Sequence, residues 1–153
     1  MKMPIIVTAA AGFIGRHIVA ALNARGVTDL VLVDRLGSDD RWRNLRGLEF
    51  EDIVTPEAFL ASVEAGRAPA PATVSRLGAC SVTTERDAGF LLENNYRYTR
   101  TLCTWALECG ARFVYASSAD TTKLRAAGYA QPFTSLEEGV REYVQTYLEM
   151  NGG

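Results

Sequence analysis

Lysine, histidine and cysteine are scarce in this chain, and each scarcity removes a class of chemistry. The only lysines are Lys2 and Lys123, and His17 is the sole histidine. The three cysteines, Cys80, Cys103 and Cys109, are odd in number and show no CxxC spacing. That argues against a disulfide framework or a zinc site and fits a reducing cytosol. Long apolar runs are missing too. The stretch from Met1 to Val7 is too short for a signal-peptide core or a membrane span, so the expected location is cytoplasmic. A net charge of -2 gives no electrostatic reason to expect nucleic acid or an anionic membrane as partner. What is present is ordinary for a globular protein, with 48% hydrophobic and 22% charged residues. A length of 153 residues allows one domain with a real core and leaves little for a second.

Short β-branched runs alternate with helical patterns. Ile5, Ile6 and Val7 read as a buried parallel strand that ends in small residues. Phe13, Ile14, Ile18, Val19 and Leu22 then recur about once per turn, and that helix should close near Gly26. Leu30 to Val33 is a second buried run, ended by Asp34. This β-α-β unit needs a right-handed crossover and a parallel sheet. Residues 35–48 read as a polar loop with a short helix, and residues 48–53 as a third strand. Thr55-Pro56-Glu57 is a helix start, with a capping hydroxyl, a proline in the first helical position and an acid near the positive helix end.

Further on, residues 73–77 are the expected fourth strand, although Ser75 and Arg76 are unusual for a strand buried on both faces. One long helix is expected over residues 88–109, and a fifth strand over residues 112–116. Beyond Ala119 no further strand follows. A short helix over residues 120–127 precedes a second, where Ser135 and Glu138 can form a capping box ahead of an apolar face from Leu136 to Leu148. The expected fold class is α/β: a Rossmann-like doubly wound parallel sheet of about five strands, three layers αβα, in the order 3-2-1-4-5. Residues 1–119 are the expected dinucleotide-binding domain, and residues 120–153 a helical segment packed on it.

Strand one runs into Thr8-Ala9-Ala10-Ala11-Gly12-Phe13-Ile14-Gly15. Gly12 and Gly15 stand where a dinucleotide turn needs a backbone that lets the pyrophosphate approach and a helix pack closely. The pattern is GxxGxxG with Ala9 in the first position, which should cost about 1 kcal/mol if that residue has positive φ. The same spacing also serves a strand–helix turn that holds no ligand. Asp34 can accept from both hydroxyls of an adenosine ribose, which favours NAD. Arg35, with Arg41 or Arg43, could instead hold a 2′-phosphate, and the choice between NAD and NADP stays open.

Several segments resemble the ADP-glyceromanno-heptose 6-epimerase family, a branch of the extended short-chain dehydrogenase/reductases. They are Ile6 through Gly15, Gly78-Ala79-Cys80-Ser81-Val82-Thr83-Thr84-Glu85, Asn94-Asn95-Tyr96 and Tyr115-Ala116-Ser117-Ser118-Ala119. The tail is similar to the family's C-terminal end through Leu124 to Tyr129, Pro132-Phe133 and Glu138-Gly139-Val140. Members of that family are much longer, and what would join the two blocks near Ala119–Asp120 is absent, so most of the substrate domain is expected to be missing through an internal deletion. The resemblance implies NADP-dependent epimerisation of a nucleotide sugar, ADP-heptose, for the lipopolysaccharide core. It places Phe13, Ile14, Asp34, Arg35, Arg41, Gly78, Ala79, Cys80, Ser81 and Asn94 at cofactor-contact positions. Ser118 matches the serine that hydrogen-bonds the reacting hydroxyl. The family usually carries histidine where Arg76 stands, and an apolar residue where Ser75 stands. Buried and unpaired, Arg76 would cost several kcal/mol, so it is expected to reach a carboxylate, a phosphate or solvent.

Chemistry of this class uses a tyrosine whose pKa is lowered by a lysine four residues later. No tyrosine here has that lysine; Tyr96 is followed by Arg100, which serves the relay poorly. His17 reads as a surface helix residue, and Cys80 as a small packing residue with no histidine identified to activate it. The expectation is a truncated epimerase-like nucleotide-binding domain without turnover, holding NADP, or NAD, in a site weakened or lost through Ala9 and Arg76. The alternative is a structural or interaction scaffold with a dead nucleotide site. The edge of strand five is expected to pair with another copy or to be covered by the helix of residues 136–148.

Overall fold

In the computed structural model the described residues are 3–80 and 84–116, within the unit Met1–Ser117. Five parallel strands form one sheet: β1 (Ile5–Thr8), β2 (Leu30–Val33), β3 (Asp52–Val54), β4 (Thr73–Arg76) and β5 (Arg112–Tyr115). Their order is β3-β2-β1-β4-β5, as the crossover rule implied. β1 sits at the centre, pairing Ile5 with Leu30 on one side and with Thr73 on the other. The chain reverses its direction of winding between β1 and β4, and their C-terminal ends open a crevice there. The fold is Rossmann-like.

Helix α1 (Phe13–Asn23) returns the chain from β1 to β2, and α2 (Pro56–Glu64) from β3 to β4. α1 buries Gly15, Ile18, Val19 and Leu22, which recur at helical spacing, while Phe13 at its start is exposed. The opposite face is covered by α2 and by a later helix, described below. There Ile6, Val31, Val33 and Val74 from the sheet pack with Phe59, Val63, Leu102 and Ala106. The Phe59 and Trp105 rings meet edge to face at 5.6 Å. Alternation along a strand then turns Ile5, Val7, Leu30 and Leu32, all fully buried, to the α1 side. Thr55 caps α2 by accepting from the Ala58 N–H, as its Thr-Pro-Glu start implied.

Two elements differ from expectation. The third strand begins at Asp52 rather than near Leu48, because residues 45–49 are taken by a turn. Leu48 N–H bonds the Leu45 carbonyl, and Asn23 clamps Glu49 through both its backbone groups, at 2.8 and 2.9 Å. Those groups are then unavailable to a sheet. The long helix is also not one helix. A short α3 (Ala88–Leu91) leads into a π-helical turn over Leu92–Arg97, and α4 (Tyr98–Glu108) follows. The fourth strand ends at Arg76, since Leu77 N–H turns aside to the Thr8 hydroxyl at 2.9 Å. Ser81, Ser118 and the whole tail segment 120–153, with its proposed cover for β5, lie outside the described residues.

Candidate functional site

At the C-terminal end of β1 the backbone must turn sharply into α1. Ala9 takes the left-handed conformation, with φ of 50°, and its carbonyl accepts from the Gly12 N–H at 3.0 Å. The strain anticipated at this position is therefore present, and Ala9→Gly should stabilise the fold by about 1 kcal/mol, read as a raised denaturation midpoint with unchanged slope. A destabilised Ala9→Gly variant would contradict that reading. A Cβ on Gly15 would lie 2.3 Å from the Ala9 carbonyl oxygen, so this position is closed to any side chain. Gly12 caps α1 without a side-chain hydrogen bond, and the first turn carries no acid. Such a helix start presents N–H groups and positive potential together.

Asp34, just past β2, reaches this turn. Its Oδ2 accepts from the Ala11 N–H at 2.8 Å and its Oδ1 from the Arg35 N–H at 2.7 Å. Asn44 closes the other side, donating from Nδ2 to the Ala11 carbonyl at 2.8 Å. It belongs to the 3₁₀ helix Asp40–Leu45 and was not singled out from the sequence, because nothing local marks which backbone it serves. The arginines expected near a 2′-phosphate are engaged by acids, Arg43 with Asp40 at 3.2 Å among them. Arg35 pairs with Glu57, and Arg41 Nε donates to Asp39 at 2.9 Å. The Arg41 backbone N–H, then its side chain, hold the Asp39 carboxyl below its ordinary range.

The loop after β4 is held by the π-helical turn. Asn95 Oδ1 accepts from the Cys80 N–H at 2.7 Å, and its Nδ2 donates to the Cys80 carbonyl at 2.9 Å. Asn94 Nδ2 donates to the Gly78 carbonyl at 3.1 Å. Two adjacent asparagines thus grip one loop. Their sequence signal was available: an Asn-Asn pair inside a helical pattern competes with the helix for backbone groups.

The same turn accommodates Arg76. Tyr98 N–H bonds the Glu93 carbonyl, five residues back instead of four, which releases the Asn94 carbonyl from Tyr98. Arg76 Nη2 donates to that carbonyl at 2.7 Å, and its Nε to Thr99 Oγ1 at 3.2 Å. The guanidinium also lies over the Tyr98 ring, 5.0 Å from its centroid. Of the partners expected for Arg76, the carboxylate and the solvent are replaced by protein groups. Arg76 is 1% exposed, and among the described residues no carboxylate pairs with it. It is satisfied by a carbonyl, a hydroxyl and an aromatic face. Burial lowers its pKa from the ordinary arginine value, with Tyr98 and Tyr115 opposing. Ser75 beside it is fully buried, and its Oγ has no partner among the described residues.

Asp34, Arg35, Arg41, Gly78, Ala79, Cys80 and Asn94 line one cavity of about 360 Å³, with Ala9, Arg76 and Tyr98 in the same wall. Gly12, Phe13, Ile14 and Gly15 stand outside that wall at the start of α1, joined to it through Ala9. His17 is an exposed helix residue, as expected, its ring tilted against Phe13 at 4.8 Å, and Tyr96 is exposed. Among the described residues the cysteines are free, no cluster could hold a metal ion, and no helix is long and apolar enough to cross a membrane.

The chain has relatives among known proteins. The chain is 45% identical over 132 residues to ADP-L-glycero-D-manno-heptose-6-epimerase of Nitratidesulfovibrio vulgaris strain Hildenborough, covering 86% of this chain and 41% of that protein. The enzyme of the same name from Cupriavidus pinatubonensis is 46% identical over 117 residues, 76% of this chain and 35% of that one. The chain therefore spans well under half the length of these relatives. In fold it is similar to the UDP-glucose 4-epimerase of Thermus thermophilus, solved in complex with NAD, with TM-score 0.57 at 24% identity over 98% of this chain and 51% of that one. UDP-glucose 4-epimerase of Thermotoga maritima gives TM-score 0.58 at 22% identity, covering 97% and 50% of the two chains. The model of the NAD dependent epimerase/dehydratase family matches residues 5–134, and the chain belongs to that family.

Proposed function

We propose that this chain is the nucleotide-binding unit of an ADP-heptose 6-epimerase-like protein, holding NADP without turning over substrate by itself. The observation that carries the reading is the convergence of Asp34, Gly78, Cys80 and Asn94 on one cavity beside the uncapped start of α1. Asp34 supplies carboxylate oxygens at the end of β2, where a ribose would be held, and the α1 N–H groups suit a pyrophosphate. Gly15 and Gly78 keep that region free of side chains. Arg35 and Arg41 favour NADP over NAD, once their ion pairs with Glu57 and Asp39 open to a 2′-phosphate. When bound, the nicotinamide would supply hydride acceptance and return.

The protein's own proton chemistry is what this chain lacks. Within these 153 residues no tyrosine precedes a lysine by four positions. The tyrosine in the cavity wall, Tyr98, has its pKa pushed up to about 12 by burial, with Arg76 only partly opposing. A base for alcohol oxidation near neutral pH needs the opposite shift. Calorimetric titration should give an NADP dissociation constant of about 100 µM, roughly -5.5 kcal/mol, with no exchange of ADP-heptose epimers in the same solution. No heat of binding at millimolar NADP would reject the nucleotide site and favour the scaffold reading. Measurable epimer exchange would reject the absence of turnover.

A further inference from the structure

The buried guanidinium of Arg76 is a cation with no carboxylate beside it among the described residues. Burial of a charge in that state is costly, and the costs are offset when an anion enters the same site. Arg76 lines the cavity together with Ala9, Asp34 and Gly78. Its Nη1 points toward the phosphate turn. An atom at the missing Gly78 Cβ would sit 2.9 Å from Arg76 Nη1 and 3.2 Å from the Ala9 Cβ. Glycine at position 78 thus leaves the guanidinium open to the turn that leads into α1.

A second observation points the same way. The Tyr98 hydroxyl is buried in the same wall and has no hydrogen-bond partner among the described residues. At neutral pH that phenol keeps its proton, since its pKa is raised to about 12. The cavity therefore presents one guanidinium nitrogen, Nη1, that the Asn94 and Thr99 bonds leave over, and a spare O–H, both donors. An acceptor-only group matches them, and a phosphate oxygen carries both the charge and the lone pairs required.

We propose that Arg76, with Tyr98, is an anion anchor in the cavity that binds the diphosphate of an adenosine nucleotide. On the nucleotide-site reading above, this makes the site one for nucleoside diphosphates as a class, in which the nicotinamide half adds little. Free ADP should then bind about as tightly as NAD, and adenosine about tenfold more weakly than ADP.

Titration of the full chain with ADP, NAD and adenosine tests this, alongside Arg76→Met and Arg76→His at pH 8, where an ordinary imidazole is neutral. Both variants should lose about tenfold in ADP affinity while adenosine binding stays within twofold. Two variants are used so that a failure of one to fold leaves the other, and far-UV circular dichroism identifies which are folded. Tyr98→Phe removes only the hydroxyl and should cost ADP about threefold with adenosine unchanged. Unaltered ADP affinity in a folded Arg76 variant would overturn the anchor while leaving the nucleotide site standing. A gain in ADP affinity would show that Arg76 obstructs the site and would overturn it equally. Failure of the unaltered chain to bind any of the three ligands would overturn the underlying nucleotide reading, and the anchor with it.

Discussion

Gly15→Ala is expected to lower the melting temperature by about 10 °C, a large loss for the addition of one methyl group. The new Cβ would stand 2.3 Å from the Ala9 carbonyl oxygen, 2.6 Å from Ala10 Cα and 2.9 Å from the Ala10 carbonyl oxygen. All three are backbone atoms of the turn between β1 and α1, so no side chain can swing away. α1 has to back off from the sheet, and the buried Ile18, Val19 and Leu22 go with it. Overpacking of this kind costs about 3 kcal/mol, and a domain of this size loses roughly 3 °C per kcal/mol. Gly26→Ala separates steric contact from backbone strain. Gly26 has φ of +77° with nothing within 4 Å of its Cβ position, so only about 1 kcal/mol of conformational cost applies. Equal melting temperatures for the two variants would reject close packing as the cause.

The second large effect belongs to Asn95. Its amide satisfies both backbone groups of Cys80, at 2.7 and 2.9 Å, across fifteen residues of sequence. Asn95→Ala removes both bonds and leaves a half-buried N–H and carbonyl without their partner, at a cost of about 2 kcal/mol. The loop carrying Gly78, Ala79 and Cys80 forms one wall of the cavity, so nucleotide affinity should fall together with stability. Asn95→Asp keeps the acceptor for the Cys80 N–H but sets a carboxylate oxygen against the Cys80 carbonyl, and should cost at least as much. Urea denaturation with unchanged slope reads both values. A shift below about 0.5 kcal/mol for Asn95→Ala would show that the loop is held by other contacts.

The parts of this fold that were legible in the sequence share a physical basis. β1 and β2 announce themselves as short apolar runs buried at every position, and α1 because burial repeats every 3.6 residues along a helix. Gly12, Gly15 and Asp34 fall at the ends of those elements, so their neighbourhood follows from connectivity alone. The strain at Ala9 was legible too, because an alanine in the first glycine position has few ways to make the turn. The strand order followed from handedness, which leaves few alternatives once the elements are known. Less legible were the polar clamps. Asn44 on Ala11 spans 33 residues, and Arg35 on Glu57 spans 22. The early start assigned to the third strand failed for the same reason, since Asn23 claims Glu49 from 26 residues away.

Arg76 divides what each level decides. Its place at the end of β4, beside the crevice, was set by the sequence through the apolar pattern of the strands around it. Its partners were decided only by the tertiary structure. Docking α4 on the sheet brings the Asn94 carbonyl, the Thr99 hydroxyl and the Tyr98 ring around one guanidinium, and the π-helical turn supplies that carbonyl. Periodicity states which face of an element is buried and is silent on which donor meets which acceptor. That pairing depends on distances between segments far apart in the chain, and those distances exist only once the sheet has closed.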